Sequence, residues 1–481
     1  MSHDNLKTPG NSPSVNTETI VAEATPTGRA GVSIVRLSGG RALPIAEQVV
    51  GRLPAPRQAY YRHFQDIDQN IFDQGVVLWF QGPASFTGED VVEFQGHGGP
   101  VVVDLLKQTC VQQGARLARP GEFSERAFLN DKLDLVQLEA IADLIDSASQ
   151  QAARGAYQSL SGVFSREVDQ LVQGVTELRI YVEAAIDFPE EEIDFLDEPI
   201  VAEQVNQLVI NLTALLAQAE QGRRLQSGLK VALIGPPNAG KSSILNRLTG
   251  DDSAIVTNIP GTTRDVVKEQ ILIDGLPLVI SDTAGIRKAS DAIEAVGIER
   301  SWQVAEAADV SLIVFDATDH QILASKDNDR SFDQAIKALQ KQLFGERPAP
   351  AKAVVVLNKM DTLSATEQQQ INQRAGPKGA AVLVSAKTGE SWQTLLDAIK
   401  AMALDVDVGE SVFSARARHI VALKQAQRYL AAAKGLIDAK HPGELVAEEL
   451  KMAQETLGEI TGKVTSDELL GKIFGSFCIG K

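Results

Sequence analysis

From Thr19 to about residue 120 the chain alternates short apolar runs with Gly, Pro or Asp. The runs "TIVAEAT", "GVSIVRLSG", "GVVLWF" and "DVVEFQGHGG" have the length and turn-forming borders of strands. "PVVVDLLKQTCVQQG" reads as a helix, with Gly114 just past its end. Together these predict an α+β domain. Around "PGEFSERAFLNDKLDLVQLEAIADLIDSAS" the period becomes helical, with Leu133, Val136, Ile141, Leu144 and Ile145 recurring at helical spacings. Helical patterning runs to about residue 224, broken by the acidic, proline-bearing "DFPEEEIDFLDEP". That stretch reads as a solvated turn or, on its charge, as a docking surface for a basic partner.

At residue 230 the texture changes again. "KVALIGPPNAGKSSILNRL" is a buried strand, a glycine-rich loop and a helix. Strand-like "LVISDTAG", "VSLIVFDAT", "AVVVLNKMD" and "AAVLVSA" then alternate with helical segments to about residue 405, which predicts an α/β unit with a mainly parallel sheet. From "SARARHIVALKQAQRYLAAAKGLI" the pattern is helical to the end. The expected fold class is multidomain. A leader over 1–18 lacks order, and an α+β domain covers 19–120. A discontinuous α-helical domain takes 121–224 and 409–481, with the α/β domain inserted at 225–408. Two separate helical domains satisfy the same pattern.

Composition changes this picture little. Hydrophobic residues at 44% and charged residues at 23% suit an ordinary globular chain. Two cysteines, Cys110 and Cys478, speak against a disulfide framework and for a reducing compartment. The leader has no apolar core like that of a signal peptide, and no apolar run reaches membrane-spanning length. A cytoplasmic location without membrane attachment is expected. The net charge of −17 repels a phosphate backbone at long range. A nucleic acid would therefore need a local basic patch or a basic partner protein. The tail "GSFCIGK" has the spacing of a prenylation signal, but Gly480 is a poor aliphatic and Lys481 an unusual last residue. A frayed end is the simpler reading.

The chemistry begins with "GPPNAGKS", Gly235 to Ser242, which fits the phosphate-loop pattern G-x-x-x-x-G-K-[ST] between a strand and a helix. Backbone N–H groups over Asn238, Ala239, Gly240, Lys241, Ser242 and Ser243 can cradle phosphate oxygens. Lys241 would reach the β/γ-phosphates and Ser242 would hold Mg²⁺. "DTAG", from Asp282 through Thr283 and Ala284 to Gly285, ends a strand, and Asp282 can hold the magnesium shell. "NKMD", with Asn358, Lys359 and Asp361, and "SAK", with Ser385, Ala386 and Lys387, follow two further strands.

In this order the motifs resemble those of small GTPases. The resemblance implies that Asp361 takes the N1 and exocyclic amine protons of guanine. Ile286 stands where Ras-like proteins carry the glutamine that orients the attacking water. "TNIPGTTRD" resembles a first switch, with Thr257, Asn258, Ile259, Pro260, Gly261, Thr262 and Thr263 folded over the nucleotide and Thr263 as a second Mg²⁺ ligand. "GTTRD" with "NAGKS" is similar to the GTPases that include Era, Der and MnmE. Asn238 is characteristic of members that use K⁺ in place of an arginine finger. It would give a side-chain oxygen to the ion, and Thr257, Ile259 and Thr262 would give main-chain oxygens. Loop-turn chemistry alone is the other reading of Asn238. Neither Arg264 nor Arg287 is assigned as an arginine finger. His97, in "GHGG", reads as a turn residue.

The flanks "ATPTGRAGVSIVRLSG", "SFTGEDVVEFQGHGGP", "RPGEFSERAFLNDKLDL" and "FCIGK" resemble the MnmE (TrmE) family of tRNA-modification GTPases after the leader. That resemblance implies a role in C5 modification of the tRNA wobble uridine, adding aminomethyl or carboxymethylaminomethyl groups with the FAD-dependent partner MnmG. It implies a one-carbon donor that is a tetrahydrofolate derivative, in the 5-formyl or 5,10-methylene form. It also implies that the N-terminal domain over 19–120 binds the folate and forms a homodimer, across which the GTPase domains associate with GTP and K⁺ bound. Arg36, Glu93, Lys132 and Lys481 match the family's folate contacts. Glu294 takes the role of the missing switch glutamine and joins Lys241 as catalytic; without the family it would be an exposed helix glutamate. Cys478 is a nucleophile or a small buried residue. A ribosome-assembly GTPase like Era or Der is the alternative. Era carries a basic RNA-binding appendage and Der a second phosphate loop, and this sequence shows neither. A dimeric switch or scaffold is a third reading.

Overall fold

The computed structural model describes residues 18–187, 199–250, 268–273, 276–282, 302–306, 308–325, 329–350, 352–375, 381–403, 413–464, 467–475 and 480. Contacts group the chain into two units: Met1–Ala142 with Gly458–Lys481, and Asp143–Leu457. Each is taken by itself.

The first unit is built on six strands. They are β1 (Ile20–Glu23), β2 (Ala30–Ser38), β3 (Ala59–Gln65), β4 (Ile71–Phe80), β5 (Val91–Gly98) and β6 (Arg116–Leu117). Their order is β3-β4-β5-β2-β1-β6, antiparallel except for the β1–β6 pair. Alternation along the strands gives the sheet two different faces. Val21, Val35, Leu37, Val92 and Phe94 point to one, where helices α1 (Ala42–Val50) and α2 (Pro100–Gln112) bury Ile45, Val49, Leu106 and Cys110 against them. Ala22, Arg36 and Glu93 are cross-strand partners and so share the opposite face. There Ile20 and Ala22 pack with Ala118, Phe123 and Phe86. The predicted helix over "PVVVDLLKQTCVQQG" is present. Gly114 takes φ +104 behind it, a left-handed conformation open to glycine.

β3 and α1 lie where the sequence pattern marks no element. β3 had no apolar run to announce it, because in "AYYRHFQ" only Phe64 is buried and the strand lies at the sheet edge. α1 carries Pro44 in its first turn, where a missing N–H costs nothing. Helices α3 (Glu122–Leu129) and the start of α4 (Leu135–Ile145) belong to this unit, as does a C-terminal helix (Asp467–Gly475). Ala127, Leu135, Leu138, Ile473 and Phe474 form their common core. Gly480 is buried with φ +96, and a side chain there would meet the Glu23 carbonyl and Ala24. Gly480 therefore lies against the end of β1.

The second unit joins a helical bundle to a second sheet. The bundle holds α5 (Gln150–Leu160), α6 (Val163–Asp187) and α7 (Pro199–Ser227) before the sheet domain, and a 22-residue helix (Ala417–Asp438) after it. On α7, Val201, Val205, Leu208, Leu212, Leu215 and Ala219 are buried at helical spacing. Lys434 bonds Asn206 at 2.9 Å and Gln427 bonds Thr213 at 2.9 Å, which sets α7 antiparallel to the later helix. Although the sequence shows no uninterrupted apolar run of spanning length, Ile200–Ser227 is, among the described residues, the one helix long and apolar enough to cross a membrane. Here it packs against α5, α6 and the Ala417–Asp438 helix.

The second sheet has strands β7 (Leu229–Ile234), β8 (Lys268–Ile273), β9 (Leu276–Asp282), β10 (Val310–Asp316), β11 (Ala353–Asn358) and β12 (Val382–Leu383). Their order is β12-β11-β10-β7-β9-β8, parallel except for β8 at one edge. β7, β10 and β11 are buried along almost their whole length, as strands covered on both faces must be. One carboxylate ties both chain crossings between bundle and sheet. Asp143, 5% exposed, accepts from Gln226 Nε2 (2.7 Å) in the last turn of α7 and from Arg416 (2.6 Å) and Ser414 Oγ (3.3 Å) on the returning chain. Beside it Phe413 stacks on Phe164 at 4.5 Å, and the Phe413 carbonyl fills the space a side chain on Gly222 would need.

Candidate functional site

The phosphate loop leaves β7 at Gly235. A side chain there would collide with the Val314 carbonyl of β10, and one on Gly240 (φ +94) with the Asn358 amide. Two of the motif's glycines are therefore demanded by close approach. Asn238 takes φ +63, a left-handed conformation asparagine tolerates. The loop runs into helix α8 (Lys241–Gly250), whose first turn presents Ser242 and Ser243 to solvent. Helix N-termini of this kind favour phosphate through their free N–H groups and dipole. The Lys241 ammonium donates to the Gly235 carbonyl at 2.7 Å and the Pro236 carbonyl at 2.8 Å.

The Asn-Lys-Met-Asp and Ser-Ala-Lys motifs meet this loop from the next strands. Asn358, at the end of β11 and 2% exposed, donates Nδ2–H to the Ala239 carbonyl (3.1 Å) and accepts from the Ala386 N–H at Oδ1 (3.0 Å). One side chain thus ties the phosphate loop to the Ser-Ala-Lys loop. Asp361 accepts from Ser385 Oγ at 2.7 Å, and Ser385 Oγ accepts from the Thr388 N–H at 3.0 Å. Lys359, at φ +70, reaches Asp316 Oδ2 at 2.6 Å. Burial opposes ionisation of Asp316, but hydrogen bonds from Lys359 and Thr318 outweigh it and hold its carboxyl below the usual range. Asp316 belongs to none of the four motifs. Its only sequence signal is an acidic residue closing the strand "VSLIVFD".

The structure therefore brings Asn238, Ala239, Gly240, Lys241 and Ser242 together with Asn358, Lys359, Asp361, Ser385 and Ala386. Asp282 ends β9 in register with Leu233, one position before the strand β7 closes. Ser242 offers a solvent-facing hydroxyl oxygen, the donor type that Mg²⁺ takes. Thr257, Asn258, Ile259, Pro260, Gly261, Thr262, Thr263, Thr283, Ala284, Gly285, Ile286 and Glu294 lie outside the described residues, as do Cys478, Lys481 and the acidic 188–198 stretch.

The first unit carries a second constellation. Arg36 and Glu93, directly opposed across β2 and β5, form an ion pair at 2.8 Å and are 21% and 16% exposed. The Arg36 guanidinium lies 5.6 Å from the Phe86 ring centre and 5.7 Å from that of Phe123. Lys132 is exposed and donates to the Pro83 carbonyl at 2.9 Å, in the same loop that supplies Phe86. Glu89 anchors that loop, accepting from Ser38 Oγ (2.8 Å) and Arg126 (2.9 Å). Arg126 in turn bonds Glu122, which also holds Arg116 and the Arg119 N–H. Burial raises the Glu122 pKa, yet these hydrogen bonds prevail and hold it at about 2. Cys110 is buried, and desolvation pushes its thiol up to about 12, so it is inert. His97 is exposed, 2.6 Å from Asp73. Among the described residues no three His, Cys, Asp or Glu groups gather as metal ligands.

A phosphate-loop motif and two further motif loops gathered at the C-terminal ends of parallel strands define the class: the second unit contains a P-loop GTPase domain, and the chain is a GTP hydrolase. The chain belongs to the MnmE/TrmE family and is a tRNA-modification GTPase. The family model described as "MnmE helical domain" matches residues 135–478, and that described as "GTP-binding protein TrmE N-terminus" matches residues 19–132. Parts of the chain are also similar to solved structures. The G domain of the T. maritima FeoB iron transporter is 24% identical over 36% of this chain and 98% of that one, with a TM-score of 0.24. The cytosolic domain of L. pneumophila FeoB is 18% identical over 51% and 94%, with a TM-score of 0.23. A GTP-binding protein from Sulfolobus solfataricus, solved with GDP, is 16% identical over 60% and 79%, with a TM-score of 0.25.

Proposed function

We propose that GTP hydrolysis here serves the addition of aminomethyl or carboxymethylaminomethyl groups to C5 of the tRNA wobble uridine, together with the FAD-dependent partner MnmG. The one-carbon unit would come from a tetrahydrofolate derivative, 5-formyl or 5,10-methylene. The observation that carries the reading is the Arg36–Glu93 pair between Phe86 and Phe123. Phe86, a partly exposed ring near a partly exposed carboxylate, suits a flat pterin, whose N–H edge a glutamate can accept, and the buried Phe123 backs Arg36 from beneath. Arg36 is committed to Glu93, so it would hold that carboxylate in place. Lys132 and Lys481 would then take the glutamate tail. Cys478 would act on the donor or only pack.

In the GTPase domain, Ser242, Thr263 and Asp282 would hold Mg²⁺. Asn238 would hold K⁺ with main-chain oxygens of Thr257, Ile259 and Thr262. These cations would offset the negative charge that grows on the phosphates during transfer. Glu294 would position the attacking water. The chain would act as a cytoplasmic homodimer held by its N-terminal domain, with the GTPase domains associating across the dimer when GTP and K⁺ are bound.

Two measurements test this. In cells lacking the protein, mass spectrometry of wobble nucleosides should show the C5 aminomethyl-type group lost, and Arg36→Ala should fail to restore it. An unchanged nucleoside profile would sink the proposal. GTP turnover should be at least about tenfold faster in K⁺ than in Na⁺ at matched ionic strength, and Asn238→Ala should remove the difference. Equal rates in the two salts would remove the K⁺ assignment.

A further inference from the structure

Helix α8 begins at the phosphate site with Lys241 and Ser242 and carries Arg247 on the side of its second turn. The Arg247 guanidinium reaches across to the Ser-Ala-Lys loop, from a position 139 residues earlier in the chain. Its Nη1 donates to the Ala386 carbonyl at 3.1 Å and to the Lys387 carbonyl at 3.3 Å. The same guanidinium lies 5.5 Å from the centre of the Trp392 ring, which is 7% exposed. Gly389, at φ +85, closes the loop around it, and any side chain there would fall on the Arg247 Nη2. The loop is folded about this one side chain.

The consequence follows from the planarity of the peptide. The Ala386 carbonyl and the Lys387 N–H belong to one trans unit and point in opposite directions. Holding the carbonyl toward α8 therefore fixes the direction of the Lys387 N–H. The Ala386 N–H is already spent on Asn358 Oδ1 at 3.0 Å. Asn358 and Arg247 thus hold consecutive peptides of the loop, one from the strand side and one from the helix side. Bonds from a charged donor are the stronger kind, and a forked guanidinium can meet two carbonyls and a ring at once.

We infer that Arg247 is a positioning residue for guanine recognition, coupling the helix that begins at the phosphates to the loop that reads the base. The inference rests on the Ser-Ala-Lys loop being the base-reading loop. Arg247 touches neither phosphate nor base, so its removal should slacken nucleotide binding without slowing the chemistry.

The test uses the full chain and three readouts: kcat and KM for GTP, the release rate of a fluorescent GDP derivative, and the fraction of protein competent to bind nucleotide. Arg247→Ala should raise KM and the release rate by about 10- to 100-fold, with kcat at saturating GTP within about twofold. Arg247→Lys should recover only part of this, because an ammonium cannot serve two carbonyls and stack as well. The preference for GTP over ATP should fall along with the affinity. Release rates within about twofold of the parent would overturn the inference. So would a reduced competent fraction whose surviving molecules release GDP at the parental rate, since that marks a role in folding alone. A parent chain that does not prefer GTP to ATP would instead overturn the reading of the loop itself.

Discussion

Exchanging Asp361 for asparagine should raise the KM for GTP by about 10²- to 10⁴-fold and turn the preference toward xanthosine triphosphate. A carboxylate only accepts hydrogen bonds, and guanine presents two neighbouring donors, its N1–H and its exocyclic amine. Asp361 sits in the tight turn Met360–Thr362 directly after β11, and Ser385 Oγ holds its Oδ1 at 2.7 Å. Its direction is therefore set before nucleotide arrives. Each hydrogen bond to a charged acceptor contributes about 1.5–3 kcal/mol. Asparagine keeps one acceptor but turns an amide N–H against the guanine amine, a donor facing a donor. Xanthine has a carbonyl at that carbon, so the same amide N–H finds an acceptor. Turnover at saturating substrate should change little, because the phosphate end is untouched. Steady-state kinetics with both triphosphates decides it: a variant that still prefers GTP by the parental margin would show that Asp361 does not read the base. Ser385→Ala should have a smaller effect in the same direction.

Why that site could be read from the chain, and other parts could not, comes down to the range of the interactions. The phosphate loop is local: Gly235, Gly240 and Lys241 lie within seven consecutive residues, and the two glycines answer to contacts that no side chain would survive. Asn358 and Asp361 announce themselves by following a buried strand. Arg247 gives no such signal, and Asp316 gives only that of an acidic residue closing a buried strand, outside any motif. A charged residue on a helix or at a strand end looks solvated until a partner far along the chain is known, and Arg247 meets its partners 139 and 140 positions away. The same limit explains β3, whose burial rests on Phe64 alone. Local period also cannot show that the helix Asp467–Gly475 groups with the N-terminal sheet, because that depends on Phe474 meeting Phe128 at 6.2 Å. Arg36 and Glu93 are intermediate cases. Each is a charged residue between two apolar neighbours in its strand, which hints at a purpose, but their pairing needs the register of β2 on β5.

Glu122 shows how much a charge hidden in that way can carry. Glu122→Ala should destabilise the first unit by roughly 3–5 kcal/mol, the cost of breaking a buried ion pair from one side. Glu122 is 1% exposed at the start of α3 and satisfies Arg116 at 2.8 Å, the Arg119 N–H at 2.8 Å and Arg126 at 3.1 Å. Arg126 is itself 5% exposed, and its Nε already lacks a hydrogen-bond partner among the described residues. Without Glu122 its remaining anion among the described residues is Glu89, which anchors the loop bearing Phe86. For a unit of this size such a loss lowers the melting temperature by on the order of 10 °C. Glu122→Gln keeps the shape and one acceptor and should cost less. The pH dependence gives an independent check. The carboxyl is held at about 2, against 4.5 for the free group. Its stabilising effect is therefore complete above about pH 4.5 and is lost as pH falls toward 2. Thermal unfolding of the full chain between those limits should fall less steeply in Glu122→Gln than in the parent. Equal slopes, with Glu122→Ala melting within about 2 °C of the parent, would mean that the cluster is held together without this carboxylate.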